Sequence, residues 1–587
     1  MRAARRQAEG VALPGGMMDF QLTLHHLFQK NCQLHARQEV VSVMRGGRLH
    51  RYTYAQFQRN VLLLAKALVH RFGVRRGDRV ATFAYNHYQH LELYFAIPLI
   101  GAVLHTVNIR LFSEQLVYIF NHAEDRLLFI DSTLLPIIEP LKPSLPHLKH
   151  CVVLDSPPPS SSSLSPESCI SSPMASSYLT FMSYEQLIAE AAADPVAFQL
   201  PDDIKEEEAL GLCYTSGTTG NPKGVLYSHR STFIQALVTT SIDAYAISGR
   251  DTLLSVVPMF HANAWSFPFV GVLVGTKLVL PGEDLSPTNI ARLLFQEKCT
   301  LAAGVPTIWL GVLQHLKEKN NITPDLLSHL RIITGGSAAP PSLIQAYDGL
   351  GATMVHAWGM TELSPHGTLA CLKPGMHALS YQDKLKFRSK QGPAVPTVEM
   401  RIVGDDSKEL PWDGVTVGEV QVRGPSIAKH YFNDEGASKG VFTADGWFKT
   451  GDVGTIDEEG FMQIVDRTKD LIKSGGEWIS SVELENAIMA HPKVQEAAAI
   501  AVFHPKWRER PMAVVKLSDG RVPQTKEEAA RLKEDIRQFL AQKVAKWWIP
   551  EEIAFVEEIA KTSVGKFDKK TLRKQFDTSS DITKAAL

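Results

Sequence analysis

Leu212-Cys213-Tyr214-Thr215-Ser216-Gly217-Thr218-Thr219-Gly220-Asn221-Pro222-Lys223-Gly224 is the stretch on which the reading of this chain turns. Leu212–Tyr214 reads as a short apolar strand running straight into a loop of glycines and hydroxyls. Gly217, Gly220 and Gly224 let the backbone turn its N–H groups toward one anion. The hydroxyls of Thr215, Ser216, Thr218 and Thr219 and the Lys223 ammonium add donors. A triphosphate needs such a cradle, because it must be held while its charge is offset. The loop is not a Walker A motif, since Pro222 precedes Lys223 and Gly224 follows it. That argues against a P-loop nucleoside triphosphatase.

Strands and helices alternate on both sides of the loop. Val80–Phe83 reads as a strand, Gln89–Ile100 as a helix, Val103–Val107 as a strand, Ser113–His122 as a helix and Arg126–Ile130 as a strand. Downstream, Arg331–Thr334 reads as a strand, Pro341–Leu350 as a helix and Thr353–His356 as a strand. Such alternation predicts an α/β fold of helix-flanked parallel or mixed sheets. The chain has 587 residues, too many for one domain. Ser156–Ser177, rich in Ser and Pro, reads as a flexible surface insertion. Near Arg467 the character changes: glycines and charges cluster, and a strand-like run, Glu496–Val502, follows. Thr525 opens a helix with Glu528 placed for a capping box, and Leu532, Ile536, Phe539 and Val544 mark its apolar face. The expected division is a tail at 1–17, a large domain at 18–466 and a small α+β domain at 467–587.

A formal net charge of -1 gives no overall field to attract nucleic acid or an acidic membrane. Cys32, Cys151, Cys169, Cys213, Cys299 and Cys371 include no CxxC pair, which excludes a zinc-ribbon or dithiol reading and fits a reducing compartment. No uninterrupted apolar run is long enough to span a bilayer; Leu93–Val107, broken by Pro98 and His105, reads as a buried helix followed by a strand. The expected location is cytoplasmic. Arg2, Arg5 and Arg6 leave an organellar transit peptide open, and Met17 or Met18 is an alternative start.

With Val225 and the helix start Ser228-His229-Arg230, Tyr214–Gly224 resembles the signature of the adenylate-forming superfamily, which includes acyl-CoA synthetases, luciferases and peptide-synthetase adenylation domains. Trp358-Gly359-Met360-Thr361-Glu362 is similar to the family's aromatic-Gly-x-Thr-Glu element. The resemblance implies that Trp358 lies against the adenine, Thr361 bonds the α-phosphate, and Glu362 helps hold Mg²⁺ with Thr215. His356 and Ala357 stand where many relatives have Gln-Gly, at the adenine edge. Gly335-Gly336-Ser337-Ala338-Ala339-Pro340 resembles the turn beside the adenine. Lys449-Thr450-Gly451-Asp452 resembles the ribose element, in which Asp452 would accept the hydroxyls.

Asp466–Ile479 resembles the hinge segment. By that resemblance Arg467 contacts the nucleotide, and a small mobile domain pivots at Lys469 between two half-reactions. Lys473, Ser474, Gly475, Gly476 and Trp478 would then face coenzyme A. Lys561-Thr562-Ser563-Val564-Gly565-Lys566 is similar to the terminal element, with Lys566 as the catalytic cation and Ala560 where Pro is common. Pro258–Trp265 resembles the wall of an acyl pocket, with Trp265 as a gate and His261 moving between acyl and CoA states.

The implied activity is that of an acid–thiol ligase. ATP activates a medium- to long-chain fatty acid as acyl-AMP, and coenzyme A takes the acyl group. A ligase for short-chain, aryl or methylthio-alkanoic acids and a noncatalytic adenylate-binding sensor are the alternatives. Carrier-protein loading would call for an appended carrier, and none is read in the chain. The partners implied are small molecules, with no nucleic acid and no transmembrane segment; peripheral membrane contact and a homodimer are compatible with the reading.

Overall fold

The computed structural model describes residues 15–155, 180–215, 221–319, 323–404, 406–467, 469–474, 477–561 and 567–576. Most of the expected tail, the Ser/Pro-rich insertion, and the candidate site residues Ser216, Gly217, Thr218, Thr219, Gly475, Gly476 and Lys566 lie outside the described residues. For Trp478 only the backbone is described.

Two large sheets form the body. The first has seven strands in the order Thr180–Ser183, His150–Leu154, Leu127–Asp131, Arg79–Phe83, Val103–Thr106, Ala209–Tyr214 and Gly224–Ser228. All its pairings are parallel except the last. The second has eight strands, from His366–Leu369 through Thr353–Gly359, Arg331–Gly335, Leu301–Gly304, Thr252–Ser255, Lys277–Leu280 and Glu39–Val43 to Leu49–Thr53. Here only the two outermost pairings are antiparallel. Leu127–Asp131, Val103–Thr106 and Leu301–Gly304 are buried along their whole length, as expected of parallel strands covered by helices on both faces. Leu93–Val107 is a buried helix, Tyr88–Leu99, followed by the strand Val103–Thr106. Among the described residues no helix is long and apolar enough to cross a membrane.

A four-stranded antiparallel sheet, Glu399–Val403, Gly418–Arg423, Phe448–Ile456 and Met462–Arg467, completes the body. Beyond it the chain builds a separate sheet from Ile472–Ser474, Glu477–Ile479, Val494–His504, Arg508–Leu517 and Glu552–Phe555, so sheet membership changes between Arg467 and Ile472. The helix Lys526–Leu540 begins at Thr525, whose hydroxyl accepts the Glu528 N–H at 3.1 Å. The Glu528 carboxylate answers to the N–H of Gln524 at 3.0 Å, one residue ahead of the cap.

Several strands run beyond their sequence-based limits, Val494–His504 and Thr353–Gly359 among them. The strand Val494–His504 outlasts Glu496–Val502 because its hairpin partner Arg508–Leu517 pairs with it to the turn. Thr353–Gly359 outlasts Thr353–His356 because His366–Leu369 folds back against its end. Trp358 and Gly359 are therefore inside a strand, at a register shift, and not in the loop after one.

Candidate active site

The first strand pair of the site is cinched at the neck of the glycine-rich loop. Thr215 N–H donates to the Lys223 carbonyl at 2.9 Å, and Lys223 N–H donates to Thr215 Oγ1 at 3.2 Å. These reciprocal bonds hold both flanks of the loop at the C-terminal edge of the sheet, where ligands of open α/β sheets bind. The Lys223 Nζ lies 4.8 Å from the centre of the Tyr431 ring.

Tyr431 reaches the next element as well. Its hydroxyl donates to Glu362 Oε1 at 2.8 Å, and the backbone around Glu362 is tied down by Ala428 N–H to the Glu362 carbonyl, also 2.8 Å. Tyr227 donates its hydroxyl to the Thr361 carbonyl at 2.7 Å. Burial pushes the Glu362 carboxyl above the usual carboxylate range, while the Tyr431 hydroxyl works the other way. Gly359 is required: a Cβ there would stand 1.9 Å from the Pro365 carbonyl oxygen, so only glycine lets this strand turn into Thr361–Leu363.

Trp358 donates its indole N–H to Asp452 Oδ2 at 2.8 Å, and Arg467 Nε lies 3.0 Å from Asp452 Oδ1. A carboxylate has about four lone-pair sites, so each oxygen keeps acceptor capacity for a ligand hydroxyl. The Asp452 charge raises the Arg467 guanidinium further above its ordinary range. Burial lowers the Lys469 ammonium.

These pieces surround one cavity of about 440 Å³. Thr215, Asn221, Lys223, Trp358–Glu362, Lys449–Gly451, Arg467 and Lys469 line its polar half. Val256–Pro258, Phe260–Ala262, Trp265, Val305 and Ile308 line an apolar half. The apolar wall includes an unusual backbone: Ala262, Asn263, Ala264, Trp265 and Ser266 all have φ between 43° and 61°. A left-handed turn costs an L-residue roughly 1–2 kcal/mol, so five in succession persist only where the surroundings over-determine them.

This chain matches the model of the AMP-binding enzyme over residues 28–432, and that of the AMP-binding enzyme C-terminal domain over residues 483–566. The chain belongs to the AMP-binding enzyme family. It is 43% identical over 565 residues to a long-chain-fatty-acid–CoA ligase of Thermus thermophilus, covering 96% of this chain and 97% of that one. It is 42% identical over 563 residues to a 3-methylmercaptopropionyl-CoA ligase of Ruegeria pomeroyi, covering 96% and 98%. The fold is shared with the anthranilate CoA ligase AuaEII, crystallised with anthranoyl-AMP, at a TM-score of 0.80 and 23% identity over 96% of this chain and 99% of that chain.

The AMP-binding fold brings Thr215, Lys223, Gly336, Ala357, Trp358, Gly359, Thr361, Glu362, Arg467 and Lys469 to one cavity, with His261 and Trp265 on its apolar side and Asp452 behind Trp358. Three residues read as adenine contacts are not on its wall. His356 is buried, accepting the Ala339 N–H at 3.4 Å and facing the Ser389 carbonyl at 3.2 Å, while Ser337 and Ala338 continue the turn past Gly336. Lys473 and Ser474 are also away from the cavity. The Lys473 N–H donates to Glu509 and the Ser474 hydroxyl accepts from Arg510, both within the C-terminal sheet. Among the wall residues that escaped the sequence reading, four carry polar side chains: Arg110, Tyr245, His366 and Tyr431. None stands in a motif with a spacing of its own. His366 was the most accessible, four residues after Glu362 on a strand end.

Proposed function

We propose that this chain is an ATP-dependent acid–thiol ligase that converts a medium- to long-chain fatty acid to its acyl-CoA through an acyl-adenylate. The observation that carries the reading is the single cavity with a cationic, hydroxyl-rich half joined to an apolar half. Nucleotide and acyl chain would meet where the two halves join, beside Thr361 and Glu362.

In the first step the carboxylate oxygen attacks the α-phosphorus. The bond to the bridging oxygen breaks and pyrophosphate leaves with the electron pair. Carboxylate and phosphate repel each other, so the chain's part is to hold cations and donors at the reacting oxygens before they arrive. Lys223 and the loop N–H groups serve the leaving phosphates, and the Thr361 hydroxyl serves the α-phosphate. Lys566 would bridge the carboxylate and the α-phosphate. The Trp358 ring serves as the adenine face, and the Asp452 carboxylate accepts from the ribose. In the second step the thiol sulfur attacks the acyl carbonyl and AMP leaves, with Lys473–Trp478 lining the approach after a rotation about Lys469. A thiol with pKa near ~8.5 needs little help to ionise.

Glu362 fits Mg²⁺: it is a buried carboxylate at the cavity with one oxygen held by Tyr431. Among the described residues no group of three or more His, Cys, Asp or Glu gathers to hold a metal, which suits an ion bound by one carboxylate and substrate phosphates. Glu362 and the Thr215 hydroxyl would hold the ion, which supplies charge neutralisation to the phosphates. Cys32, Cys151, Cys213, Cys299 and Cys371 are free thiols, which supports a reducing, cytoplasmic setting.

A short methylthio-alkanoic acid is the second reading, favoured by the near-equal identity to the Ruegeria pomeroyi and Thermus thermophilus enzymes. The deciding experiment is AMP release from a panel of short, medium, long, aryl and methylthio acids, with and without coenzyme A. CoA-dependent AMP release greatest for medium or long acids is the expected result. Failure of every acid in the panel to support pyrophosphate exchange into ATP would mean that the activation reading is wrong.

A further inference from the structure

The apolar wall is held by a pair of side chains that belong to no nucleotide motif. His366, at the start of the strand His366–Leu369, is 2% exposed and lines the cavity. Its Nε2 lies 3.1 Å from the Trp265 carbonyl, and its Nδ1 lies 2.7 Å from the Tyr245 hydroxyl. A carbonyl can only accept, so Nε2 carries the proton and Nδ1 receives the Tyr245 O–H. Burial pushes the His366 imidazole down to about 3, so it stays neutral and this tautomer persists across the working range. Tyr245 is itself buried on the same wall, its ring centre 4.7 Å from that of His366.

The carbonyl that His366 holds belongs to the left-handed turn. With φ of 43–61° from Ala262 to Ser266, that turn is a backbone state which ordinary residues leave when nothing restrains them. Backbone bonds within the turn also restrain it, Ala264 N–H to the His261 carbonyl and Ser266 N–H to the Asn263 carbonyl, both at 3.0 Å, but none of these reaches the Trp265 carbonyl. Ser266 Oγ reaches the Ser364 carbonyl at 3.5 Å, and the Cys213 thiol meets Asn263 Oδ1 at 3.3 Å, with the Asn263 Nδ2 buried and unpartnered among the described residues. Trp265, the fourth residue of the turn, is 8% exposed and lines the cavity.

Resting on the ligase reading above, we propose that Tyr245 and His366 are a latch that sets acyl-chain length: through the Trp265 carbonyl they keep the left-handed turn, and with it the indole, in the position that closes the acyl compartment. They are positioning residues, and they act on the acyl group through Trp265. A long acyl chain seats by displacing the indole against this latch, whereas a short one fits beneath it. Weakening the latch therefore favours long chains over short ones without touching the nucleotide half.

The test measures binding of non-hydrolysable acyl-sulfamoyl adenosines carrying butyryl and dodecanoyl chains, by calorimetry, to the full-length protein and to Tyr245→Phe, His366→Leu and His366→Gln. Glutamine places an N–H donor near the position of Nε2 and leucine does not. The dodecanoyl-to-butyryl affinity ratio is expected to rise about tenfold in His366→Leu and severalfold in Tyr245→Phe, and to return toward that of the unaltered protein in His366→Gln. In turnover the change falls on KM for the acid, and KM for ATP stays as it was. A ratio that is unmoved or lower, or equal loss for both analogues, overturns the latch, as does binding of neither analogue by the unaltered protein. If His366→Leu does not fold, Tyr245→Phe decides by the same ratio. A latch-dependent ratio in a protein that releases no AMP from any acid would sink the ligase reading and leave the latch standing.

Discussion

Trp358 and Asp452, 94 residues apart, are joined by a 2.8 Å hydrogen bond from the indole to the carboxylate, and Arg467 closes on the other oxygen of that carboxylate. The proposed adenine face, ribose acceptor and hinge-side arginine are thereby one hydrogen-bonded unit. Removing the carboxylate strands both partners.

Asp452→Ala should raise KM for ATP by about tenfold to a hundredfold, since a hydrogen bond to a charged group contributes about 1.5–3 kcal/mol. Trp358→Phe keeps a ring for the base and loses the bond, so its effect should be smaller. Initial rates at varied ATP separate the two. Unchanged KM in Asp452→Ala would remove the ribose assignment.

Tyr431→Phe bears on pH. Burial raises the Glu362 carboxyl and the Tyr431 hydroxyl opposes that shift. Without the hydroxyl, Glu362 holds its proton to higher pH. The acid limb of kcat/KM should therefore move to higher pH than in the unaltered protein, with the half-saturating Mg²⁺ concentration rising as pH falls. A coincident acid limb in the two proteins counts against Glu362 as the metal-binding carboxylate.

Lys566→Ala and Lys473→Ala should divide the two half-reactions. The first should lower acyl-AMP formation by at least about a hundredfold, as expected for loss of a preorganised charge in the transition state, and largely spare thioester formation from supplied acyl-AMP. The second should do the reverse. Rapid-quench assays of each half-reaction provide the check, and equal losses in both halves for either variant would contradict alternation about Lys469.

Glu92 offers a test of stability away from the site. It is buried in the helix Tyr88–Leu99, where desolvation pushes its carboxyl up to about 7, while the Tyr184 hydroxyl and the Asn60 amide at 3.0 Å work the other way. The folded chain thus binds this proton more tightly than the unfolded chain. Stability is lost as pH rises from about 4.5 to about 7, by about 3 kcal/mol for this group, and stays lost above that. Glu92→Gln should raise Tm at about pH 8 relative to the unaltered protein and gain least at about pH 5. A difference in Tm that does not vary with pH would show that Glu92 is not the titrating group.

Sequence alone determined the elements whose causes are local. The strand before Thr215, the cap at Thr525 and the buried run through Leu93 depend on periodicity, on glycine and proline, and on a side chain meeting a backbone group a few residues away. The motifs that line the cavity were legible because Tyr214–Gly224, Trp358–Glu362 and Lys449–Asp452 keep their spacing along the chain. Tertiary structure alone decided that Tyr431 holds Glu362, that His356 turns away from the cavity toward Ala339 and Ser389, and that His366 pairs with Tyr245 and Trp265. The physical reason is that a buried polar atom must find a partner wherever the fold brings one, and such partners lie up to 121 residues apart among these contacts. No local pattern records a contact made between elements so far apart along the chain. The left-handed turn at Trp265 is the plainest case, because its residues prefer another backbone state and contacts from distant residues, the His366 bond to the Trp265 carbonyl among them, help to hold it.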